Sequence, residues 1–192
     1  TGDSIASWGR GSATVQVPPY GPTWPELFVG ALRERFGGPI IAKNRALGST
    51  QSAWGAANAD FVIAPERPDL VVIAFGMNDQ RKTNPARFRA NLETMILKVR
   101  AVNPAAEFIL VSSMISSPAV ADEQPLVEFR AEMRKLGSEG IAIADVTAVT
   151  RHLVRTKPFI DIAVNNFNHP NDYLLRWYAQ VAAELLLGKG GK

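Results

Sequence analysis

Hydrophobic residues fall into four short runs along the chain, separated by longer stretches of mixed character. The runs cover residues 39–42, 70–75, 108–111 and 141–144. The second and third runs are continuously apolar and do not alternate with polar residues, which is typical of strands buried on both faces of a parallel sheet. We therefore predict a β-strand at each of the four runs.

The stretches between these runs carry apolar residues every three or four positions, which predicts helices. The predicted helices cover residues 25–36, 85–102, 126–136 and 172–187, with Gly37 ending the first and Asp172 as the N-cap of the last. Strands and helices alternate, so we expect an α/β fold: a three-layer α/β/α sandwich with a flavodoxin-like parallel sheet. The length of 192 residues fits a single domain spanning residues 1–192.

Polar segments follow two of the predicted strands directly. The run at 70–75 leads into Gly76, Met77, Asn78 and Asp79, and the run at 39–42 leads toward Gly48 and Ser49. Ligands of open α/β sheets bind at the carboxyl edge of the strands. We therefore expect a functional site at this edge.

Composition narrows the classes of function. The net charge is only +3 with scattered basic residues, which argues against a nucleic-acid groove. No apolar run approaches the roughly 20 residues that span a bilayer, so no membrane span is expected. The absence of cysteine excludes disulfides, cysteine nucleophiles and thiolate metal sites. Compartment and oligomeric state stay open.

The chain has two histidines, and they lie in different surroundings. His152 lies in a helical-looking stretch between arginines and is interpreted as a solvated side chain. His169 lies in a polar loop before the last predicted helix, which is where a positioned general base for a serine nucleophile could lie.

Four segments of the chain resemble the sequence blocks of the SGNH (GDSL-type) hydrolase family, in the family order. These segments are Gly2-Asp3-Ser4-Ile5, residues 44–49, Gly76-Met77-Asn78-Asp79, and residues 166–169. Each would be a weak signal alone, but together they span nearly the whole chain. The pentapeptide Gly-x-Ser-x-Gly of an ordinary α/β-hydrolase does not occur.

The resemblance implies a serine esterase that uses no metal or organic cofactor. Ser4 would be the nucleophile and His169 its general base. The backbone N–H of Ser4, a backbone N–H at Gly48 and the side-chain amide of Asn78 would stabilise the oxyanion. Family members often carry glycine one position after Gly48, so Ser49 is the second choice for that donor.

Asn166 departs from the family pattern, which has aspartate three residues before the histidine. An amide oxygen can orient an imidazole but brings no charge to stabilise imidazolium. Either Asn166 is a weaker third catalytic residue, or the site is a Ser–His dyad with another acceptor.

Substrate class follows from the family and from aromatic residues near the blocks. We expect short acyl groups, with acetyl on a carbohydrate preferred, and name Asp3, Trp8 and Trp54 as substrate-binding candidates. The competing interpretation is that Trp8, Trp24 and Trp54 are packing residues. A lysophospholipase or thioesterase of the same family, and a non-catalytic binding module that retains the fold, are the alternative functions.

The start of the sequence carries one further expectation. In this fold the strand that leads into the Gly-Asp-Ser block is central, yet only Thr1 precedes Gly2. We expect the space between the strands at 39–42 and 70–75 to be filled by residues outside this sequence or to be vacant.

Overall fold

A three-stranded parallel sheet forms the centre of the computed structural model, which describes residues 1–7 and 11–188. The strands lie in the order β1–β2–β3, with Val71 of β1 opposite Phe108 of β2 and Ile109 of β2 opposite Ala142 of β3. The strands are β1 (Leu70–Ile73), β2 (Glu107–Val111) and β3 (Ile141–Ala144). The helices are α1 (Trp24–Phe36), α2 (Ser52–Val62), α3 (Pro85–Val102), α4 (Gln124–Arg134), α5 (Val146–Leu153) and α6 (Asp172–Leu187), with short 3₁₀ turns at Gly11–Ala13, Ala64–Glu66 and Phe159–Asp161.

Strand β2 shows that both faces of the sheet are covered. Its residues from Phe108 to Val111 are all buried, although successive side chains of a strand point to opposite faces. Helices α2 and α3 pack against each other, as do α1 and α6. Helices α3 and α4 make the crossover connections that parallel strands require. The predicted α/β class, with a parallel sheet flanked by helices, is confirmed.

Helix boundaries follow local capping chemistry. Helix α3 begins at Pro85 because the side chain of Asn84 accepts a hydrogen bond from the backbone N–H of Arg87 at 2.9 Å. Helix α6 has the predicted range, but its N-cap is Asn171, whose side chain accepts from the N–H of Leu174. Asp172, predicted as that cap, instead accepts from the backbone N–H of Ser12 at 2.9 Å.

Three helices differ from the predicted set: α4 is shifted, and neither α2 nor α5 was in that set, although the stretch around His152 in α5 was interpreted as helical-looking. Helix α4 begins and ends two residues earlier than the predicted range of 126–136. Helix α2 was not predicted, because its buried residues include the small Gly55, Ala56 and Ala59 and give no strong apolar stripe.

The predicted strand at residues 39–42 is wrong. Within the described residues this segment pairs with no strand, and Ile41 is 86% exposed. Gly2 instead forms the parallel bridge to Ala74 beyond the end of β1, and its carbonyl accepts from the N–H of Leu47 at 3.0 Å. A strand requires a hydrogen-bonding neighbour, and an apolar run alone does not supply one. The expectation about residues ahead of Thr1 stays a prediction.

Across the described ranges, each helix is too short or too polar to cross a lipid bilayer.

Candidate active site

Ser4 lies in a tight turn just beyond the carboxyl end of β1. Gly2 begins this turn at a point of close backbone approach, since a Cβ on Gly2 would lie 2.4 Å from the carbonyl oxygen of Ala74. The carboxylate of Asp3 accepts a hydrogen bond from the N–H of Ile5 at 2.9 Å, which closes the turn around Ser4. Steric contact therefore favours glycine at the first position of the Gly-Asp-Ser sequence, and a hydrogen bond within the turn favours aspartate at the second.

Two side chains from elsewhere in the chain hold this turn in place. The indole N–H of Trp24 donates to the carbonyl of Ile5 at 3.0 Å. The side-chain amide of Asn44 donates to the carbonyl of Ala6 at 2.8 Å. Satisfying these backbone carbonyls in a buried turn fixes the position from which Ser4 projects.

The Ser4 hydroxyl and the His169 ring are in hydrogen-bond contact. Ser4 Oγ lies 3.0 Å from His169 Nε2, across 165 residues of sequence. Ser4 is 8% exposed, and the histidine is half-buried. The separation is within the range in which a general base takes a proton from a hydroxyl.

The loop that carries His169 is anchored at two points. The carbonyl of His169 accepts from the N–H of Val164 at 3.0 Å, and the carbonyl of Phe167 accepts from the N–H of Ser117 at 2.7 Å. The second bond ties the loop to the segment that follows β2. Helix α6 then begins three residues after the histidine.

Asn165, and not Asn166, contacts the far side of the His169 ring. The side-chain Nδ2 of Asn165 lies 3.1 Å from His169 Nδ1. Asn166 has a left-handed backbone with φ of 48°. Of the two alternatives for this position, the one with Asn166 as the third catalytic residue is corrected, because the turn places the residue four positions before the histidine at Nδ1. Sequence reasoning missed Asn165 because the family spacing pointed to the next residue.

Two of the three predicted oxyanion donors, Gly48 and Asn78, lie in loops that contact each other. Gly76 adopts a φ of 138° and turns the chain after β1, which leads into Asn78. The Asn78 side-chain amide donates to the carbonyl of Thr50 at 3.0 Å. Ser49 has a φ of 65°, a left-handed conformation that favours glycine. The loop that contains Gly48 and Ser49 is therefore tied directly to the loop of Asn78.

The side chain of Asp79 links the loop of Asn78 to the start of helix α2, which follows the Gly48–Ser49 loop. Its carboxylate is buried and accepts from both the N–H of Ser52 at 3.1 Å and the Ser52 hydroxyl at 2.5 Å. Asn91 of α3 in turn donates to the Ser52 hydroxyl at 2.9 Å. Burial raises the pKa of Asp79, and the hydrogen bonds from Ser52 oppose that rise. Asp79 thereby caps helix α2 from a different loop.

The remaining candidates occupy varied positions. Asp3 is 2% exposed, so the prediction that it contacts substrate is corrected to a role within the turn. Trp54 is half-buried on α2, and Trp8 lies outside the described residues. Trp24 is buried packing, and His152 is exposed on α5. In the part of the chain that the structure describes, no group of three or more His, Asp or Glu side chains could hold a metal ion.

Solved structures of esterases share this fold at low sequence identity. An acetylxylan esterase from Geobacillus stearothermophilus superposes with a TM-score of 0.76 at 17% identity, covering 94% of this chain and 89% of that one. A carbohydrate esterase family 3 protein from Talaromyces cellulolyticus gives 0.70 at 16%, covering 97% and 93%. A two-domain esterase active on acetylated mannans gives 0.73 at 19%, covering 96% of this chain and 47% of that one.

Sequence comparison assigns the family. No curated protein matches the chain significantly. The model of the GDSL-like Lipase/Acylhydrolase family, by contrast, matches residues 1–183, which is almost the entire chain. The protein belongs to the GDSL-like lipase/acylhydrolase family and is a carboxylic ester hydrolase.

Proposed function

We propose that the chain is a single-domain serine esterase that removes short acyl groups, above all acetyl, from carbohydrate. The observation that carries the proposal is the 3.0 Å contact between Ser4 Oγ and His169 Nε2. A serine hydroxyl is a weak nucleophile unless an adjacent base takes its proton, and this pairing supplies that base.

The reaction proceeds through an acyl-enzyme. Ser4 Oγ transfers its proton to His169 Nε2 and bonds to the acyl carbon, and the carbonyl oxygen becomes an oxyanion. Nε2 then gives the proton to the departing alcohol oxygen as the C–O bond breaks. A water molecule then loses a proton to Nε2 and attacks the acyl carbon. Nε2 returns that proton to Ser4 Oγ as the bond from Oγ to the acyl carbon breaks, which releases the acid and free Ser4.

Three donors are suited to stabilise the oxyanion. They are the backbone N–H of Ser4, the side-chain amide of Asn78, and a backbone N–H in the Gly48–Ser49 loop. The bond from Asn78 to Thr50 supports this grouping because it fixes the amide beside that loop. The left-handed φ of Ser49 matches the position at which family members often carry glycine. Uncharged donors stabilise the oxyanion without competing for the proton.

Acetylated carbohydrate is the substrate class that the neighbours favour. The structural neighbours from G. stearothermophilus and T. cellulolyticus are described as an acetylxylan esterase and a carbohydrate esterase. Trp54 offers a half-buried indole close to the second block, and aromatic rings of this kind pack against sugar faces.

A fluorophosphonate probe tests the chemistry. It should label the wild type at Ser4, and both Ser4→Ala and His169→Ala should abolish labelling while remaining folded. His152→Ala is the matched control, because His152 is the other histidine of the chain, and it should label like the wild type. If the wild type is not labelled at all between pH 6 and pH 9, the protein is instead a binding module.

A substrate panel tests the specificity. The panel comprises p-nitrophenyl esters from acetyl to palmitoyl, an acetyl thioester, a lysophospholipid and acetylated xylo-oligosaccharide. We expect kcat/KM to be highest for acetyl and the oligosaccharide to be deacetylated. A maximum at long acyl chains, or at the thioester, would contradict the proposed substrate class and leave the serine chemistry intact.

A further inference from the structure

We infer that Asn165 is a positioning residue that holds neutral His169 with its proton on Nε2, the nitrogen that faces Ser4. The assignment of this tautomer depends only on the hydrogen-bond geometry within the loop. Its consequence for turnover rests on the proposed serine esterase function.

The orientation of the Asn165 amide is fixed by the loop backbone. Its side-chain oxygen accepts from three successive N–H groups, those of Phe167, Asn168 and His169, at 3.0–3.1 Å. Rotating the amide by 180° would place its NH₂ group against three N–H donors and lose all three bonds. The amide oxygen therefore stays on the backbone, and the NH₂ group faces the ring.

This orientation selects the histidine tautomer. The Asn165 NH₂ group lies 3.1 Å from His169 Nδ1 and can only donate, so Nδ1 must present its lone pair. A neutral imidazole has one proton, which then resides on Nε2 and points at Ser4 Oγ 3.0 Å away. A second bond from Asn165 Nδ2 to the side-chain oxygen of Asn168, at 2.9 Å, holds the NH₂ group in place.

The selected tautomer opposes the proposed reaction. Nε2 must offer a lone pair to take the proton of Ser4, so a proton has to leave Nε2 and another has to reach Nδ1 before attack. The half-buried ring can exchange these protons with water. Once formed, however, the Nδ1–H faces the N–H of Asn165, and this donor-to-donor contact persists in the imidazolium state. Asn165 therefore restrains turnover.

A carboxylate at position 165 removes the conflict. In Asn165→Asp, one oxygen retains the three backbone N–H bonds. The other accepts from Nδ1–H and from the Asn168 side-chain amide, which rotates to present its NH₂ group, and the Nε2 lone pair then faces Ser4. Asn166→Asp is the matched control, because it adds the same charge one residue away and restores the family spacing. The structure predicts that only the change at 165 acts on the ring.

Nitrogen NMR reads the tautomer independently of activity. In a long-range ¹H–¹⁵N spectrum of the ¹⁵N-labelled protein at a pH where the ring is neutral, the pattern of cross-peaks to the ring protons shows which nitrogen lacks a proton. With two histidines in the chain, His152→Gln assigns the spectrum. We expect unprotonated Nδ1 in wild type and in Asn166→Asp, and unprotonated Nε2 in Asn165→Asp. A wild type with protonated Nδ1 overturns the inference.

Kinetics on p-nitrophenyl acetate measure how the His169 tautomer affects turnover. An amide that holds the wrong imidazole tautomer lowers kcat by up to about 10⁴ where the residue is buried. Asn165 is exposed, so we expect Asn165→Asp to raise kcat about tenfold with KM within about twofold. Asn166→Asp should stay within about twofold of wild type. Equal activation by both, or activation by Asn166→Asp alone, overturns the assignment to Asn165. Absence of Ser4 labelling in every variant would count against the esterase, and the NMR result would still decide the tautomer.

Discussion

Removing the Ser52 hydroxyl should destabilise the protein more than removing the hydroxyl of an exposed serine. This hydroxyl donates to the buried Asp79 carboxylate at 2.5 Å and accepts from Asn91 at 2.9 Å, and Ser52 itself is fully buried. A hydrogen bond to a charged group contributes about 1.5–3 kcal/mol net, and a buried amide left without an acceptor costs about 1–3 kcal/mol. Because the two losses overlap, we expect Ser52→Ala to lower the free energy of unfolding by about 3 kcal/mol.

Chemical and thermal unfolding measure this loss. For a chain of this size about 1 kcal/mol shifts Tm by roughly 2–4 °C, so Ser52→Ala should melt about 6–12 °C below wild type. In guanidinium the midpoint should fall with an unchanged slope. Ser138→Ala is the control, since Ser138 is exposed, and it should stay within about 0.5 kcal/mol.

A double-mutant cycle identifies the source of the loss. Ser52→Ala combined with Asn91→Ala should cost less than the sum of the two single changes, because the second change removes the amide that the first leaves unsatisfied. A loss below about 0.5 kcal/mol for Ser52→Ala, or strict additivity in the cycle, would refute the network as a source of stability.

Three further predictions concern the proposed oxyanion donor, the turn at Gly2 and the ion pair between Arg130 and Asp145. Asn78→Ala should lower kcat about 10²–10³-fold with little change in KM, measured on p-nitrophenyl acetate, because the proposed oxyanion donor is lost. Gly2→Ala should reduce both Tm and Ser4 labelling, since the new Cβ would lie 2.4 Å from the Ala74 carbonyl oxygen. Burial raises the pKa of Asp145, but the hydrogen bonds from Arg130 and from the backbone N–H of Ala148, together with the charges of Arg130 and Arg134, outweigh it, and the net pKa is lowered. The ion pair between Arg130 and Asp145 therefore stabilises the fold above the unfolded pKa of about 3.9 and is lost as pH falls through the lower folded value. Arg130→Ala should thus cost about 1–2 kcal/mol in urea unfolding at pH 7, and this cost should shrink below pH 4.

Elements with strong local signals could be predicted from the sequence. Helix α3 matches its predicted range because Pro85 and the cap at Asn84 define its start and an apolar stripe defines its length. Helix α2 lacks such a stripe because it lies close against its neighbours. A Cβ on its Gly55 would be 2.8 Å from the Phe75 ring, and small residues chosen for close approach carry no amphipathic pattern.

Positions that depend on long-range or turn geometry could not be predicted. The run around Ile41 has strand composition, but strand formation depends on a neighbour that local sequence does not reveal. The residue beside His169 Nδ1 depends on the left-handed turn at Asn166, and linear spacing is uninformative across such a turn. The contact between Ser4 and His169 agrees with the order of the sequence blocks, and the catalytic roles of both residues stay predictions.

The contact between Ser4 and His169 also has a consequence for folding kinetics. It joins residues 165 positions apart, so it closes one of the longest loops that this chain can form. Contacts of such sequence separation incur the entropy of loop closure before they gain stabilisation, and they form late in chains with local helices. During refolding, helical circular dichroism should therefore recover before esterase activity does. The proposed catalytic pair would therefore report completed folding, because partly folded chains that contain most of the helices still lack the contact between Ser4 and His169.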